Sequence, residues 1–109
     1  MCAVHLDLWL DDERDPQDHG CAGWRWVRTA EELIEILAGC DLATVRLSLD
    51  HDLGDAQLTG YDVLVWIERE VAAGRSPPMS IALHSQNPVG RQRMQAALAS
   101  IHRLARPAR

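Results

Sequence analysis

The sequence predicts a small α/β domain in which a parallel sheet of about four strands carries three helices, mainly on one face. Short stretches of alternating apolar residues are separated by segments long enough to cross from one parallel strand to the next. Three of these strands have one aliphatic face and one mixed face, whereas strands covered by helices on both faces are apolar throughout. The 109 residues, taken as 1–109, suit a single domain with a modest core.

The first half of the chain supplies two strands and a helix. His5–Leu10 alternates strictly between apolar and other residues and is predicted to be a strand. A polar, glycine-containing loop follows, and the aromatic and β-branched stretch Trp24–Arg28 indicates a second strand. Thr29-Ala30-Glu31-Glu32 is a capping box, so a helix is predicted from there to about Ala38.

The second half repeats a strand and a helix twice. The predicted strands are Val45–Leu49 and Met79–His84, with a helix at about 60–73 between them. In Asn87-Pro88 the asparagine is an N-cap and the proline suits the first helical position, so the last helix begins there and ends near His102. The residues predicted to be buried on the three helices are Leu33, Ile34 and Leu37, then Tyr61, Leu64, Ile67 and Val71, then Met94, Ala97, Leu98 and Ile101. Residues 103–109 are expected to form a frayed basic tail.

Composition narrows the class of protein. The net charge of −5 argues against extended nucleic-acid binding, because proteins that follow phosphate backbones usually carry a basic surplus. No apolar run has the length of a membrane helix and the N-terminus lacks the pattern of a secretory signal, so we expect a cytoplasmic protein with no membrane partner. The three cysteines are odd in number and widely spaced, which is typical of reduced thiols.

Three polar clusters follow three of the predicted strands, at the point where each strand ends. They are Asp11-Asp12-Glu13-Arg14, Asp50-His51-Asp52 and His84-Ser85-Gln86-Asn87. Ligands of open parallel sheets bind beyond the carboxyl ends of the strands, so we expect the clusters to converge. Carboxylates from two neighbouring strand ends suit magnesium or manganese. The predicted metal ligands are Asp11, Asp12, Asp50 and Asp52.

The third cluster opens the last helix, whose first free N–H groups form a pocket for an anion. Gly90 is expected to let a ligand approach the backbone closely, and Arg91 lies one turn into the helix. The phosphate-binding residues predicted from this helix are Gly90 and Arg91. Imidazoles titrate near neutrality and suit proton transfer, so the predicted catalytic residues are His51 and His84, together with Asp50.

The same residues also have purely structural explanations. An acidic pair after a strand is often a solvated loop start, and a histidine such as His84 can simply be hydrogen-bonded at the sheet edge. Asn87 is explained as a helix cap. Arg14 can pair with a neighbouring acid on the surface, and Arg91 can belong to an exposed helix face.

The face without helices is expected to meet water, the loop at 13–23 or a second subunit. It carries Trp9, which together with Trp24 or Trp26 would form an aromatic patch. Exposed apolar patches of this kind often mark interfaces. We therefore hypothesise a homodimer through this face.

The strand-end residues resemble the receiver domain of two-component signalling. Asp11 and Asp12 close the first strand, an aspartate closes the third and Ser85 follows the next one. In that family the acidic pair holds magnesium and the later aspartate is phosphorylated. The receiver's fifth strand with its Lys-Pro, its phosphate-contacting lysine and its first crossover helix have no counterpart here. Asp50 matches the phosphoacceptor by its place at the strand end, and Asp52 by its spacing to the following glycine.

A closer resemblance, to the cyclic-phosphate-processing receiver-like domains, covers nearly the whole chain. The shared pattern is L-D-D-E-R, W-V-R-T-A-E-E, S-L-D-H-D-L-G, T-G-Y-D-V-L, H-S-Q-N-P and R-x-R-M. The resemblance implies a truncated receiver-like, flavodoxin-like sheet with strand order 2-1-3-4. It places the family's site at Asp11, Asp12, Arg14, Asp50, His51, Asp52, His84, Ser85, Asn87 and Arg91. The resemblance thus adds Arg14, Ser85 and Asn87 to the expected phosphate-binding residues.

This resemblance implies binding or hydrolysis of a cyclic phosphate, such as a cyclic nucleotide or a 2′,3′-cyclic RNA end. The expected partner is thus a phosphate-containing small molecule or an RNA end, with magnesium or manganese as cofactor. The alternative is a non-enzymatic phosphoreceiver or ligand-binding signalling module, against which the missing receiver lysine counts.

Overall fold

Four short parallel strands form one sheet. They are β1 (Leu6–Leu10), β2 (Arg25–Val27), β3 (Val45–Leu49) and β4 (Ser80–Leu83). Their order is β2-β1-β3-β4, as predicted. The computed structural model describes residues 6–53 and 58–105, so His5, which the sequence assigns to the first strand, lies outside the described residues.

One α-helix follows each of β2, β3 and β4 along the chain. The helices are α1 (Ala30–Ala38), α2 (Gly60–Ala72) and α3 (Pro88–Ala105). Two predicted helix starts are confirmed, since the Thr29 hydroxyl accepts from the Glu32 N–H at 3.1 Å and the Asn87 side chain accepts from the Gly90 N–H at 3.0 Å. α3 is three residues longer than predicted, and the rest of the expected tail lies outside the described residues. Within the described part of the chain, no helix is long and apolar enough to cross a membrane.

One hydrophobic core joins the helices to one face of the sheet. It combines alternate residues of β1 and β3, such as Leu8 and Leu47, with buried residues of all three helices. On α2 the residue beside Leu64 in this core is Val63 and not Tyr61, which is half-buried with the Arg93 guanidinium 4.4 Å from its ring centroid. The other two exceptions to the predicted burial, Ile34 and Leu98, are likewise half-buried.

The opposite face of the sheet is covered near its carboxyl edge by the loop after β1. Trp9 is 3% exposed there, and its ring stacks with those of His19 and His84, at centroid distances of 5.7 Å and 4.0 Å. The predicted exposed aromatic patch is therefore wrong at Trp9. Further along this face, Arg46 of β3 forms a two-pronged salt bridge with Asp7 of β1, at 2.7 and 2.8 Å. The homodimer itself remains a prediction.

Candidate functional site

The sheet register brings the three polar clusters to one edge. Strand pairing continues one residue beyond each strand: the Asp11 N–H donates to Val27 O at 3.1 Å and the Asp50 N–H to Leu10 O at 3.0 Å. The His84 N–H donates to Leu49 O at 3.0 Å in the same way. The first residue of each cluster is thus fixed by the backbone of its neighbouring strand.

An acidic cleft of about 240 Å³ opens at this edge. Its walls are Asp11, Asp12, Glu13, Arg14, Asp50, Asp52, Gln86 and Asn87. One carboxylate oxygen each from Asp11, Asp12 and Asp50 lie within 4.8 Å of one another. This donor set suits a hard divalent cation, which prefers carboxylate and water oxygens.

Asp11 is the anchored member of this group. Its Oδ1 accepts from the backbone N–H groups of Glu13 and Arg14, both at 2.9 Å. Its Oδ2 lies 3.1 Å from His84 Nε2 and 3.6 Å from the Arg14 guanidinium. Among the described residues the Asp12 side chain has no hydrogen-bond or ion-pair partner, whereas the buried Asp50 carboxyl accepts from the His51 backbone N–H, so Asp12 is the freest of the three ligands.

The Asp50 carboxyl is the member of this group whose ionisation is most disfavoured by its surroundings. Burial, followed by the charge of Asp11, raises the pKa of the Asp50 carboxyl to about 6. A carboxyl that is buried beside another carboxylate resists ionisation unless a cation is present. A bound divalent cation would relieve this repulsion, and so the chemistry of the donor set fits the expected metal.

Two tryptophans hold the first acidic cluster in place, a role that sequence reasoning missed. The Trp9 indole N–H donates to Arg14 O at 2.8 Å, and the Trp26 indole N–H donates to Asp11 O at 2.7 Å. The Arg28 guanidinium donates to Asp12 O at 2.7 Å. These donors fix the backbone from which the carboxylates and the Arg14 side chain project.

His84 spans the sheet between β4 and β1. Its Nδ1 lies 2.7 Å from the Ser48 hydroxyl and its Nε2 lies 3.1 Å from Asp11 Oδ2. Burial is the main cause that lowers the pKa of His84, which favours the neutral imidazole. An ionised Asp11 can only accept, so Nε2 carries the proton and Nδ1 accepts from Ser48.

Both His84 nitrogens are thus already paired. The imidazole orients Asp11, and neither nitrogen is left for a substrate, which differs from the acid–base role predicted for it. Ser48 is a further site residue that sequence reasoning missed. Its place on the mixed face of β3, two residues before Asp50, was the available signal.

His51 lies beside the start of α3. Its Nδ1 is 2.9 Å from Asp52 Oδ1, and this hydrogen bond lowers the pKa of Asp52. A Cβ on Gly90 would lie 2.5 Å from the His51 ring. The space in the Cβ direction of Gly90 therefore holds the His51 imidazole, which is one reason for a glycine here, and the predicted approach of a ligand to this backbone remains a prediction.

Of the remaining predicted site residues, two lie in the wall of the acidic cleft and two lie outside it. Asn87 lies in the cleft wall, where its amide donates to Asp52 at 3.2 Å. Asp52 belongs to the wall and not to the group of three converging carboxylates. Ser85 and Arg91 lie outside the described walls of the cleft. Ser85 is buried, and its hydroxyl accepts from the Asn87 N–H at 3.2 Å. Arg91 is exposed on α3.

Comparison with known proteins gives one family. The family model described as cyclic-phosphate processing receiver domain matches residues 6–100. The matched span includes all four strands and every wall residue of the acidic cleft. Neither the curated proteins nor the solved structures gave a match.

Proposed function

Because the chain belongs to the family of cyclic-phosphate processing receiver domains, we propose that it hydrolyses a cyclic phosphate in the acidic cleft. The observation that carries the proposal is the convergence of Asp11, Asp12 and Asp50 beside the Arg14 guanidinium. The proposal includes a divalent cation, magnesium or manganese, on Asp12 and Asp50.

The proposal requires a cation because the walls of the cleft are mostly acidic. Five of the eight wall residues are acidic and Arg14 is the one cationic side chain among them, so the cleft alone repels a phosphate. A bound divalent cation supplies positive charge that polarises the phosphoryl oxygens. Phosphate binding should consequently depend on magnesium or manganese.

Neighbouring side chains suit the binding of a phosphate. The Arg14 guanidinium can donate to a phosphoryl oxygen, and the amides of Gln86 and Asn87 offer further donors in the same wall. The charge that develops on these oxygens during hydrolysis is stabilised by donors already in position.

Of the two predicted histidines, His51 is our candidate for proton transfer; it lies outside the described walls of the cleft, but its chain neighbours Asp50 and Asp52 belong to them. Its Nδ1 is paired with Asp52, and in the described part of the chain its Nε2 has no partner. In the proposed reaction a water oxygen attacks phosphorus and loses a proton to His51. One ester P–O bond of the ring breaks, and the released oxygen takes the proton back from His51, which gives a phosphate monoester and regenerates the imidazole.

A panel of cyclic nucleotides and cyclic-ended oligonucleotides, with magnesium or manganese, tests this proposal. Asp50→Asn should lower kcat/KM by at least about 100-fold, because it removes a charged ligand of the cation. Glu35→Gln removes one exposed acidic charge from α1 and should leave kcat/KM within about twofold. Failure of the wild-type protein on every member of the panel would contradict hydrolysis.

The alternative function is a phosphoreceiver that uses an aspartate of the same cleft. Asp50 favours it by its place at the end of β3 beside Asp11 and Asp12. The absence of any lysine from the sequence counts against it. This alternative predicts a mass gain of one phosphoryl group with acetyl phosphate, lost in Asp50→Asn or Asp52→Asn.

A further inference from the structure

A second pocket, of about 350 Å³, lies on the helix-free face directly beside the acidic cleft. Trp9, His19, Ala82 and Leu83 are among its walls. Arg14 and Gln86 line both this pocket and the acidic cleft, so the two spaces are continuous at these side chains. We call this second space the side pocket.

The side pocket differs from the cleft in charge. Its described walls include no carboxylate, and Arg14 at the shared boundary is their one permanently charged group. The other walls combine aromatic, aliphatic and neutral polar side chains. Pockets for small organic ligands have this composition, and their volumes begin at about 300 Å³.

We infer that the side pocket binds the nucleoside of a cyclic mononucleotide whose phosphate lies in the acidic cleft. This assignment rests on the proposed function and selects among its substrates. The shared Arg14 guanidinium stands where the anionic and the neutral parts of such a ligand join. The imidazole of His19, the Gln86 amide and the exposed Ala82 side chain offer a heterocycle both apolar surface and hydrogen-bonding groups.

The charge of the molecule favours a mononucleotide over an RNA end. A single-stranded nucleic acid is bound by a groove with several cations along its backbone. The described walls of the two spaces together contain Arg14 and no second arginine.

Substitution of Ala82 tests this inference. Ala82 lies on β4 in the wall of the side pocket, and Leu at this position would fill space there. Ser80 is two residues earlier on the same strand, is also exposed and lies outside the walls of the pocket, so Ser80→Leu is the matched control. Binding and hydrolysis of 2′,3′-cyclic AMP, cyclic glycerol 1,2-phosphate and a cyclic-ended oligonucleotide are measured separately, with magnesium.

The wild-type protein should bind 2′,3′-cyclic AMP at least about tenfold more tightly than cyclic glycerol 1,2-phosphate or the oligonucleotide. Ala82→Leu should weaken binding of 2′,3′-cyclic AMP by about tenfold and leave that of the base-free ester within about twofold. Ser80→Leu should change neither.

The outcomes separate the two proposals. Hydrolysis of all three substrates with equal preference, unaffected by Ala82→Leu, would overturn the side-pocket assignment and leave the proposed function intact. Binding of 2′,3′-cyclic AMP that depends on Ala82 without turnover would support the assignment and overturn hydrolysis. Preference for the oligonucleotide, or no binding of any probe, would overturn the assignment.

Discussion

The buried charge of Asp50 lowers the stability of the fold near neutral pH, and the same carboxylate is a proposed ligand of the cation. Its raised pKa of about 6 means that the folded state binds a proton more readily than the unfolded state does. The contribution of this carboxyl to stability is therefore greatest at low pH and is lost as the pH rises through about 6.

Asp50→Asn should consequently stabilise the metal-free protein at pH 7, by about 1 kcal/mol, because it removes a buried charge. The same variant should lose the rise in Tm that magnesium or manganese gives the wild-type protein. Thermal unfolding with and without the cation, at pH 4.5 and pH 7, measures both effects. A variant that is less stable than the wild-type protein at pH 7 and keeps its metal response would contradict this account.

Ser48 acts on the cleft through His84. Ser48→Ala leaves His84 Nδ1 without its donor, so the imidazole no longer holds Asp11 Oδ2 in a fixed position, although the backbone still anchors Asp11 Oδ1. Manganese affinity should fall by about tenfold, and Ser48→Thr, which keeps the hydroxyl, should restore most of it. Calorimetric titration at a temperature where each variant is folded measures this, and equal affinities in Ser48→Ala and the wild-type protein would exclude the role.

At the scale of single residues, some features of the site could be predicted from the sequence and others could not. Asp11, Asp12 and Asp50 could be predicted as a group, because each follows a strand whose alternation is clear. The pairing of both His84 nitrogens could not, since it depends on a side chain that crosses β3 to reach the end of β1. Nor could the reason for Gly90, which depends on the rotamer of His51.

At the scale of elements, the start of α3 is docked on the loop after β3. The Asn87 amide binds Asp52, and Gly90 packs against the His51 ring. Gly90→Ala should therefore displace His51 and destabilise the fold by about 1–3 kcal/mol.

The variant should also lose hydrolysis, if His51 transfers the proton. Chemical denaturation and activity are compared with those of Gln95→Ala, an exposed change on the same helix. If Gly90→Ala keeps the stability and the activity of the wild-type protein, the contact between α3 and His51 contributes to neither.

The strands and helices were predictable because alternation and capping are local properties of the chain. The segment between β1 and β2 was not, since it has no periodicity and its structure is set by distant donors. Trp9 and Trp26 hold its backbone, and His19 covers Trp9. Trp9 and Trp26, two of the three tryptophans that suggested an interface, thus hold the backbone of the site.

At the scale of the whole molecule, the predicted homodimer is a separate question from the site. With Trp9 buried, the face offers the partly exposed ion pair of Arg46 and Asp7 and the half-buried Trp24 as its contact surface. Light scattering tests the prediction at several concentrations. A mass near twice the 12.2 kDa of the chain would support the dimer, and a constant monomer mass would contradict it.

The proposed function of the whole molecule requires that a cation in the acidic cleft enables the opening of a cyclic phosphate. A ³¹P NMR time course of 2′,3′-cyclic AMP with the protein and magnesium tests this most directly. We predict that the cyclic resonance is replaced by that of a phosphate monoester, and that chelation of magnesium or Asp50→Asn stops the change. A cyclic resonance that persists with the wild-type protein and magnesium, or a conversion that chelation leaves unaffected, would contradict the central claim.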